Sequence, residues 1–121
     1  MHNFRQLHVW HRALSVAEAV YEVTSRFPES ERFGLITQMR RSAISIPSNI
    51  AEGSSRSTTK DFQRFLAIAR GSASELETQV ILAARLGMMT KESTNRMSSQ
   101  IDEVRAMLIG LSESLNPTDQ E

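Results

Sequence analysis

The chain contains 121 residues, enough to bury one hydrophobic core and too few for two. It has no cysteine, which excludes disulfides and thiolate metal sites, and no stretch approaches the roughly 18 apolar residues of a membrane-spanning helix. Its 14 basic and 14 acidic residues cancel, so the chain as a whole lacks the marked positive charge that is typical of nucleic-acid-binding domains.

The charged residues are unevenly distributed along the chain. Residues 32–70 carry seven Lys or Arg against two acidic residues, whereas residues 71–121 carry four against eight. A basic middle and an acidic end predict opposite faces of one molecule, or complementary faces between copies of it. Because no basic and apolar leader opens the chain, we expect a soluble cytoplasmic protein without membrane contact.

Hydrophobic periodicity predicts a first helix over residues 7–25. Apolar residues recur every three or four positions in one stripe, and a second stripe that includes Trp10 and Tyr21 lies beside it. The apolar face of this helix is therefore broad. Pro28 favours an end to the helix because the residue before a proline is pushed out of the helical region, and Ser30 is placed to cap the next one.

The second predicted helix covers residues 31–52 and contains a proline. Pro47 removes one backbone hydrogen bond and presses on the carbonyl four residues back, at a cost of about 3 kcal/mol. We expect the helix to kink at Pro47 and to turn Asn49 and Glu52 inward, with Asn49 bonded to the backbone. Gly53 is the expected end of the helix because glycine adopts the left-handed conformation at little cost.

An inward-facing Glu52 requires a cationic partner, because removing one partner of a buried ion pair costs about 3–5 kcal/mol. Arg41 and Arg70 are the candidates for that partner. The predicted structural polar network consists of Asn49, Glu52, Arg70, Glu75 and Glu77.

Two further helices are predicted over residues 59–87 and 91–115. Thr58 with Asp61 three residues later resembles a capping box, and Thr90 is placed to cap the fourth helix. Both helices carry apolar residues in steps of four and three, which keep one side facing a core. These seams are Phe62, Leu66, Ala69, Ala73, Leu76, Val80 and Ala83 in the third helix, and Met97, Ile101, Val104, Leu108, Leu111 and Leu115 in the fourth.

Four amphipathic helices with short loops and no strands predict an all-α fold. We expect one antiparallel up-down four-helix bundle over residues 1–121, closed by a polar tail at 116–121. Further apolar residues of the third helix lie outside its seam: Phe65, Ile68, Ile81, Leu82 and Leu86. Because so wide an apolar face leaves a patch exposed in a single bundle, we expect the protein to self-associate.

Signatures of catalysis and of metal or cofactor binding are weak. His2, His8 and His11 lie near the N terminus, and neither a Glu-x-x-His nor a His-Glu-x-x-His pattern occurs, so we predict no metal. Arg5 and His11 have the spacing of helical HEPN-type ribonucleases, which leaves a metal-independent ribonuclease as an alternative. No nucleophile elbow, P-loop or dinucleotide-binding turn is present, so we predict neither catalytic residues nor a cofactor.

Basic residues flank the predicted loop between the second and third helices. In an antiparallel hairpin, residues before and after the turn fold back beside each other, so these charges predict one positive patch that attracts phosphates. The predicted nucleic-acid-binding residues are Arg40, Arg41, Arg56, Lys60 and Arg64. The alternative is that these side chains are solvated or paired with nearby carboxylates.

Three segments carry a resemblance to a known protein family. They read LHVWHRALSVAEAVYEVTSRFP, GLITQMRRSAISIPSNIAEG and DFQRFLAIARGSASELETQVILAARLG. In this order they resemble the blocks of the four-helix-bundle family first named for proteins encoded by intervening sequences within bacterial large-subunit ribosomal RNA genes. The resemblance extends from about Phe4 to Leu115, and its most specific motifs are SIPSNIAEG and ARGSxxELET.

The resemblance implies a small antiparallel bundle that assembles as a ring-shaped homopentamer. A related branch comprises the accessory variability proteins of diversity-generating retroelements, in which a basic pentamer binds nucleic acid and a reverse transcriptase. The resemblance therefore implies as partners copies of this chain, RNA or DNA, and a reverse transcriptase or another protein. The chain departs from the family at Ser54 and Ser55, where members often have an aromatic residue and a glycine.

These observations together predict a non-enzymatic oligomeric bundle that binds RNA or DNA non-specifically through the basic loop. Repetition of the patch around a ring would strengthen its binding to a polyanion. The alternative is a protein–protein scaffold or adaptor without nucleic-acid binding, which docks through the acidic fourth helix or the broad apolar stripe.

Overall fold

The computed structural model describes residues 2–115 of the chain. This part contains four α-helices and two short 3₁₀-helices, at Phe4–Gln6 and Glu29–Glu31, and no β-strand. The α-helices are α1 (His8–Thr24), α2 (Leu35–Ser54), α3 (Thr59–Arg85) and α4 (Lys91–Ser114). The predicted all-α class is confirmed. The polar tail predicted at 116–121 lies outside the described residues.

Each helix packs against two neighbours, in the order α1, α2, α3, α4 and back to α1. Two hydrogen bonds define the direction of α3 relative to α2. The Ser42 hydroxyl donates to a Glu75 carboxylate oxygen at 2.9 Å, and the hydroxyl oxygens of Ser45 and Ser72 lie 2.8 Å apart. Because the contacts advance along α2 as they retreat along α3, these two helices are antiparallel, as expected for neighbours joined by short loops in a bundle.

The hydrophobic seams predicted for α3 and α4 form much of the core. All seven residues of the α3 seam are buried, and so are the first four of the α4 seam. The last two, Leu111 and Leu115, are partly buried against the core. Since burying a Leu or Phe side chain contributes about 1.5–3 kcal/mol, this single core is the main source of the stability of the bundle. The buried apolar residues that α1 and α2 add are Val9, Ala13, Val16, Ala17, Val20, Leu35, Met39, Ala43, Ile46, Pro47 and Ile50.

The start of α2 differs from the prediction. The helix begins at Leu35 instead of residue 31, and Ser30 does not cap it because Glu29–Glu31 forms a separate 3₁₀-helix. The N-cap residue, Gly34, has no side chain to offer. A carboxylate oxygen of Glu31 instead accepts a hydrogen bond from the backbone N–H of Leu35 at 3.2 Å. The negative charge of Glu31 also interacts favourably with the dipole of the helix at this end.

The end of α2 also differs from the prediction. The helix runs through the buried Pro47 and ends at Ser54, so Gly53 is not its stop. Within the described residues only Gly87 has a positive φ, of 78°. Gly53 lies where α2 and α3 approach closely, since a Cβ at this position would stand 2.7 Å from the Cβ of Phe65. The kink expected at Pro47 stays a prediction.

The termini of α3 and α4 follow the sequence signals. Thr58 Oγ1 accepts a hydrogen bond from the backbone N–H of Asp61 at 3.1 Å, and Thr90 Oγ1 accepts one from the N–H of Ser93 at 3.1 Å. Beyond α3, the left-handed Gly87 lets the chain turn back so that two N–H groups bond to carbonyls of the last helical turn. No helix within residues 2–115 is long and apolar enough to cross a membrane.

Candidate interaction surfaces

The five predicted nucleic-acid-binding residues do not form one patch. Arg56, Lys60 and Arg64 lie at or next to the loop between α2 and α3, but Arg40 and Arg41 lie near the start of α2. At a rise of 1.5 Å per residue, Arg41 is about 20 Å from the loop end of that helix. The expectation that the hairpin brings all five together is therefore wrong. Residues near the start of α2 are level with the second half of α3, not with its first turns.

Charges of opposite sign alternate at the α2–α3 loop. Arg56 pairs with Glu52 at 3.1 Å, and Asp61 lies 3.7 Å from Arg56 and 2.9 Å from Arg64. Both guanidinium groups lie over the ring of the buried Phe65, 4.7 and 4.5 Å from its centroid. These five residues, the loop cluster, carry no net formal charge. Two of the three predicted phosphate contacts at this loop thus already have acidic partners.

Other cations lack an acidic partner. Arg41, Lys60 and Arg70 are exposed and form no side-chain hydrogen bond to any residue between 2 and 115. They are spread over α2 and α3 and do not gather at the loop. Within the same range, the basic side chains that form no salt bridge are Arg5, Arg40, Arg41, Lys60, Arg70, Arg85, Lys91 and Arg96.

Arg40 is the unpaired cation that the fold holds most firmly. Its guanidinium carbon lies 4.4 Å from the centroid of the Tyr21 ring. Its Nε donates to Thr24 Oγ1 at 2.9 Å, and its Nη2 donates to the carbonyl oxygen of Tyr21 at 3.4 Å. Nη1 has no hydrogen bond among the described residues. A guanidinium stacked in one orientation with N–H groups to spare is suited to bind a carboxylate or a phosphate.

The inward orientation predicted for Glu52 is wrong. Its side chain is 53% exposed and pairs with Arg56, four residues later in the loop after α2, and not with either arginine proposed from the sequence. Asn49 bonds to the backbone as predicted, since its Nδ2 donates to the carbonyl oxygen of Ser45 at 2.8 Å. The side of α2 that faces the core is occupied by apolar residues and Gly53, which leaves position 52 in solvent.

The remaining members of the predicted polar network lie apart from Glu52. Glu75 accepts the hydrogen bond from a serine of α2 described above, and Arg70 is exposed without a partner in the described part of the chain. Glu77 pairs with Arg105 of α4 at 2.9 Å, and Arg105 also pairs with Asp102. Only Glu75 and Glu77 of the five predicted residues join two helices, and the five do not form one network.

The histidines have local structural contacts. His11 Nε2 lies 2.8 Å from the carbonyl oxygen of Arg5. The two residues of the ribonuclease alternative therefore interact through the backbone of Arg5 and not through its guanidinium group. The backbone N–H of His2 donates to the carbonyl oxygen of Ser54 at 2.9 Å, and its ring lies 5.2 Å from that of Phe62. No group of three or more potential metal ligands occurs among the described residues.

Large apolar side chains on the surface form the most distinct candidate site. Those more than one-third exposed within residues 2–115 are Tyr21, Phe33, Ile44, Ile68, Ile81, Leu82, Leu86 and Ile109. Three of these residues lie on α3, and Leu86 is the residue directly after it; all four were predicted to lie outside the α3 seam, and their exposure is confirmed. Phe65, predicted with them, is buried beneath the guanidinium groups of Arg56 and Arg64. The exposure of three further residues was not predicted, namely Phe33, Ile44 and Ile109. Each of them is next to residues whose pattern predicts burial or a turn.

An apolar groove of about 310 Å³ runs along the outer side of the contact between α1 and α2. Its α1 side is the second apolar stripe of that helix, and its α2 side includes the exposed Ile44 and the ring of Pro47. We call it the α1–α2 groove. Its lining residues are Phe4, Trp10, Leu14, Ala17, Ile44, Pro47, Ser48 and Ala51.

Comparison with known proteins agrees with this architecture. A family model described as 23S rRNA-intervening sequence protein matches residues 5–110. The fold is similar to the crystal structure of a protein of unknown function from the S23 ribosomal protein family of Bacteroides thetaiotaomicron, with a TM-score of 0.79 and 27% sequence identity. That similarity covers 88% of this chain and 99% of the other. No curated protein matches the chain.

Proposed function

Because the chain belongs to the 23S rRNA-intervening sequence protein family, we propose that it is a non-catalytic scaffold that assembles with copies of itself through apolar surfaces. One observation carries the proposal: eight large apolar side chains of the described residues are more than one-third exposed. Among them Leu82 and Leu86 are one helical turn apart and therefore neighbours on the surface, and contiguous exposed apolar patches mark sites of protein contact.

Two separate surfaces support assembly. The exposed residues of α3 lie along its outer side, whereas the α1–α2 groove lies between two other helix faces. Two different surfaces that contact each other between copies make a head-to-tail interface, which closes into a ring when the rotation allows it. A ring agrees with the homopentamer that the sequence resemblance implies.

Sedimentation of the full chain between 1 and 100 µM, a range of about two decades chosen to bracket micromolar association, tests the proposal. We expect species larger than the 13.6 kDa monomer, with a mass that is a whole multiple of it. A folded monomer across this entire range would contradict the proposal. Circular dichroism on the same samples verifies that the bundle is helical.

Non-specific nucleic-acid binding is a second candidate function. The observation in its favour is the set of unpaired cations, among them Arg41, Lys60 and Arg70 on α2 and α3. An assembly repeats these charges, and several weak phosphate contacts on one particle bind a polyanion far more tightly than one. The loop cluster is neutral, so we place the phosphate contacts on Arg41, Lys60 and Arg70 and not on Arg56 or Arg64.

Salt-dependent binding of a fluorescent single-stranded RNA tests this second candidate. We expect affinity to fall steeply with salt, and Lys60→Gln to reduce the slope of log K against log [salt] by about 1. Lys91→Gln, at the other end of the bundle from Lys60, is the matched control and should leave the slope unchanged. Retention that is insensitive to salt would count against phosphate contacts. RNA recovered at full length after incubation is expected for a protein that is not a ribonuclease.

A further inference from the structure

The outer side of α3 carries a ladder of exposed residues with an acidic one at its centre. Ile68, Glu75, Leu82 and Leu86 are all exposed, and steps of seven, seven and four residues keep them on one side of a helix. We call these four residues the α3 ladder. One carboxylate oxygen of Glu75 accepts from a serine of α2, which leaves the other oxygen available.

A cation lies beside the α1–α2 groove, on the helix that forms its α2 side. Arg40, held against Tyr21, lies one turn before Ile44 on the same helix that lines the groove, and it has no acidic partner among residues 2–115. Beyond Ile44, the α2 side of the groove continues through Pro47 and Ala51. An apolar groove with a fixed cation at one end fits a helix that presents apolar residues and one carboxylate.

The spacings of the two surfaces agree. Seven and eleven residues separate Arg40 from Pro47 and Ala51, and the same numbers separate the central glutamate of the α3 ladder from Leu82 and Leu86. At 1.5 Å per residue, both surfaces therefore place apolar groups about 10 and 16 Å from the charge. A helix that ran parallel to α2 would align all three positions at once.

We infer that the α1–α2 groove of one copy receives the α3 ladder of a second copy, with Glu75 of that copy against Arg40. The inference rests on the proposed function and names the surfaces that meet. The complementary charges and equal spacing belong to one sequence, which favours a second copy over an unrelated protein as the occupant. Since the groove and the ladder are different surfaces, the interface is head-to-tail. Each added copy therefore leaves one groove and one ladder unoccupied at the two ends of the assembly until a ring closes.

Charge reversal tests the predicted ion pair. Arg40→Glu and Glu75→Arg should each weaken association at least about tenfold, because each places like charges opposite each other in a partly desolvated interface. The double variant restores the attraction with its polarity exchanged, so association should recover most of the loss. Sedimentation measures the change, and melting curves establish that each variant is folded. Single reversals that associate like the wild type would overturn the inference.

Cross-linking provides a second test that does not depend on the charged residues. The chain contains no cysteine, so an introduced one reacts alone. We would mix Ser48→Cys chains with Leu82→Cys chains and treat them with a short bismaleimide, since both positions are exposed and would face each other across the interface. We expect a cross-linked pair that contains one chain of each kind. Ile109→Cys, which is exposed on α4 outside both surfaces, is the matched control and should not cross-link to Leu82→Cys.

The outcomes separate the inference from the proposed function. Wild-type assembly without the mixed cross-link, or with Leu82→Cys chains linked mainly to each other, would overturn the head-to-tail arrangement and leave self-assembly intact. Wild-type chains that remain monomeric would contradict both. Assembly that is weakened by the single reversals, recovered by the double reversal and accompanied by the mixed cross-link would establish the arrangement.

Discussion

Gly53 of α2 lies against Phe65 of α3 so closely that no side chain fits between them. A Cβ built on Gly53 would stand 2.7 Å from the Cβ of Phe65 and 3.0 Å from a ring carbon of Phe62. The atom at 2.7 Å is attached directly to the backbone of α3, so it cannot move without shifting that helix. The close approach also positions the loop cluster, whose two arginines lie over the ring of Phe65.

Gly53→Ala should destabilise the protein. The added methyl group forces α2 and α3 apart, and overpacking of this kind costs about 1–3 kcal/mol. The higher helix propensity of alanine, about 1 kcal/mol, offsets part of that cost. We therefore expect a lower midpoint of urea unfolding, measured by circular dichroism.

The matched control for this substitution is Gly110→Ala in α4. Gly110 is a helical glycine with nothing within 4 Å of a built Cβ, so alanine should stabilise the helix by up to about 1 kcal/mol. Equal unfolding midpoints for the two variants would show that the approach of α2 and α3 does not require glycine.

Glu52→Ala should have little effect on stability. The side chains of Glu52 and Arg56 are 53% and 41% exposed, and an exposed ion pair contributes about 0–1 kcal/mol. Leu66→Ala provides the contrast, because Leu66 is fully buried and such truncations cost about 2–5 kcal/mol. Chemical denaturation of both variants measures the difference. A loss for Glu52→Ala as large as that for Leu66→Ala would restore the buried network predicted from the sequence.

Arg105→Met should destabilise the contact between α3 and α4. Arg105 is 24% exposed and bonds to Glu77 across the two helices and to Asp102 on its own helix, both at 2.9 Å. Hydrogen bonds to charged groups contribute about 1.5–3 kcal/mol, whereas methionine keeps much of the apolar length of the side chain. We expect a loss toward the lower end of that range, because Glu77 is only partly buried.

Arg12→Met is the matched control for Arg105→Met. Arg12 also joins two helices, through Glu103 of α4, but both partners are about half exposed. Its loss should therefore lie within the range of about 0–1 kcal/mol for a surface pair. Thermal melting at low and high salt distinguishes the two pairs. A larger loss of stability for Arg12→Met than for Arg105→Met would contradict the role of burial.

Thr58→Ala should shorten or destabilise the start of α3. The Thr58 hydroxyl accepts the N–H of Asp61, which otherwise has no partner within the helix. Loss of such a cap costs about 1 kcal/mol, and Thr58→Asn should retain most of the stability because asparagine is an equally good cap. Hydrogen exchange of the first-turn amides measures the effect locally. Unchanged exchange in Thr58→Ala would show that the cap is dispensable.

Local signals were sufficient to predict much of the fold. The steps of four and three residues in α3 identify seven of its nine buried residues, because helical geometry alone determines which side chains share a face. Thr58 and Thr90 cap their helices as predicted, since each bond involves residues three apart in the chain. The start of α2 was less predictable, because its first N–H group bonds to the side chain of Glu31, which lies outside the helix, and not to the predicted cap Ser30.

The candidate surfaces depend more strongly on the tertiary structure. From the sequence, Arg40 and Arg56 belong to one basic segment, yet Arg40 lies in the first half of α2 and Arg56 in the loop beyond its other end. Arg56 is neutralised by residues on both sides of its loop, whereas Arg40 stacks on Tyr21 of another helix. Whether a cation is paired depends on which carboxylates the packing of the helices brings within about 4 Å of it. The sequence alone does not give these distances.

The sequence by itself determined the helical class, the seams that form the core and the caps, because these follow from the geometry of a single helix and from contacts a few residues apart. Only the tertiary structure decided the reason for Gly53, the exposure of Glu52 and the place of the α1–α2 groove. Each of these depends on how closely two helices pack and which of their faces remain uncovered. Those are properties of pairs of helices, and no single stretch of the chain specifies them.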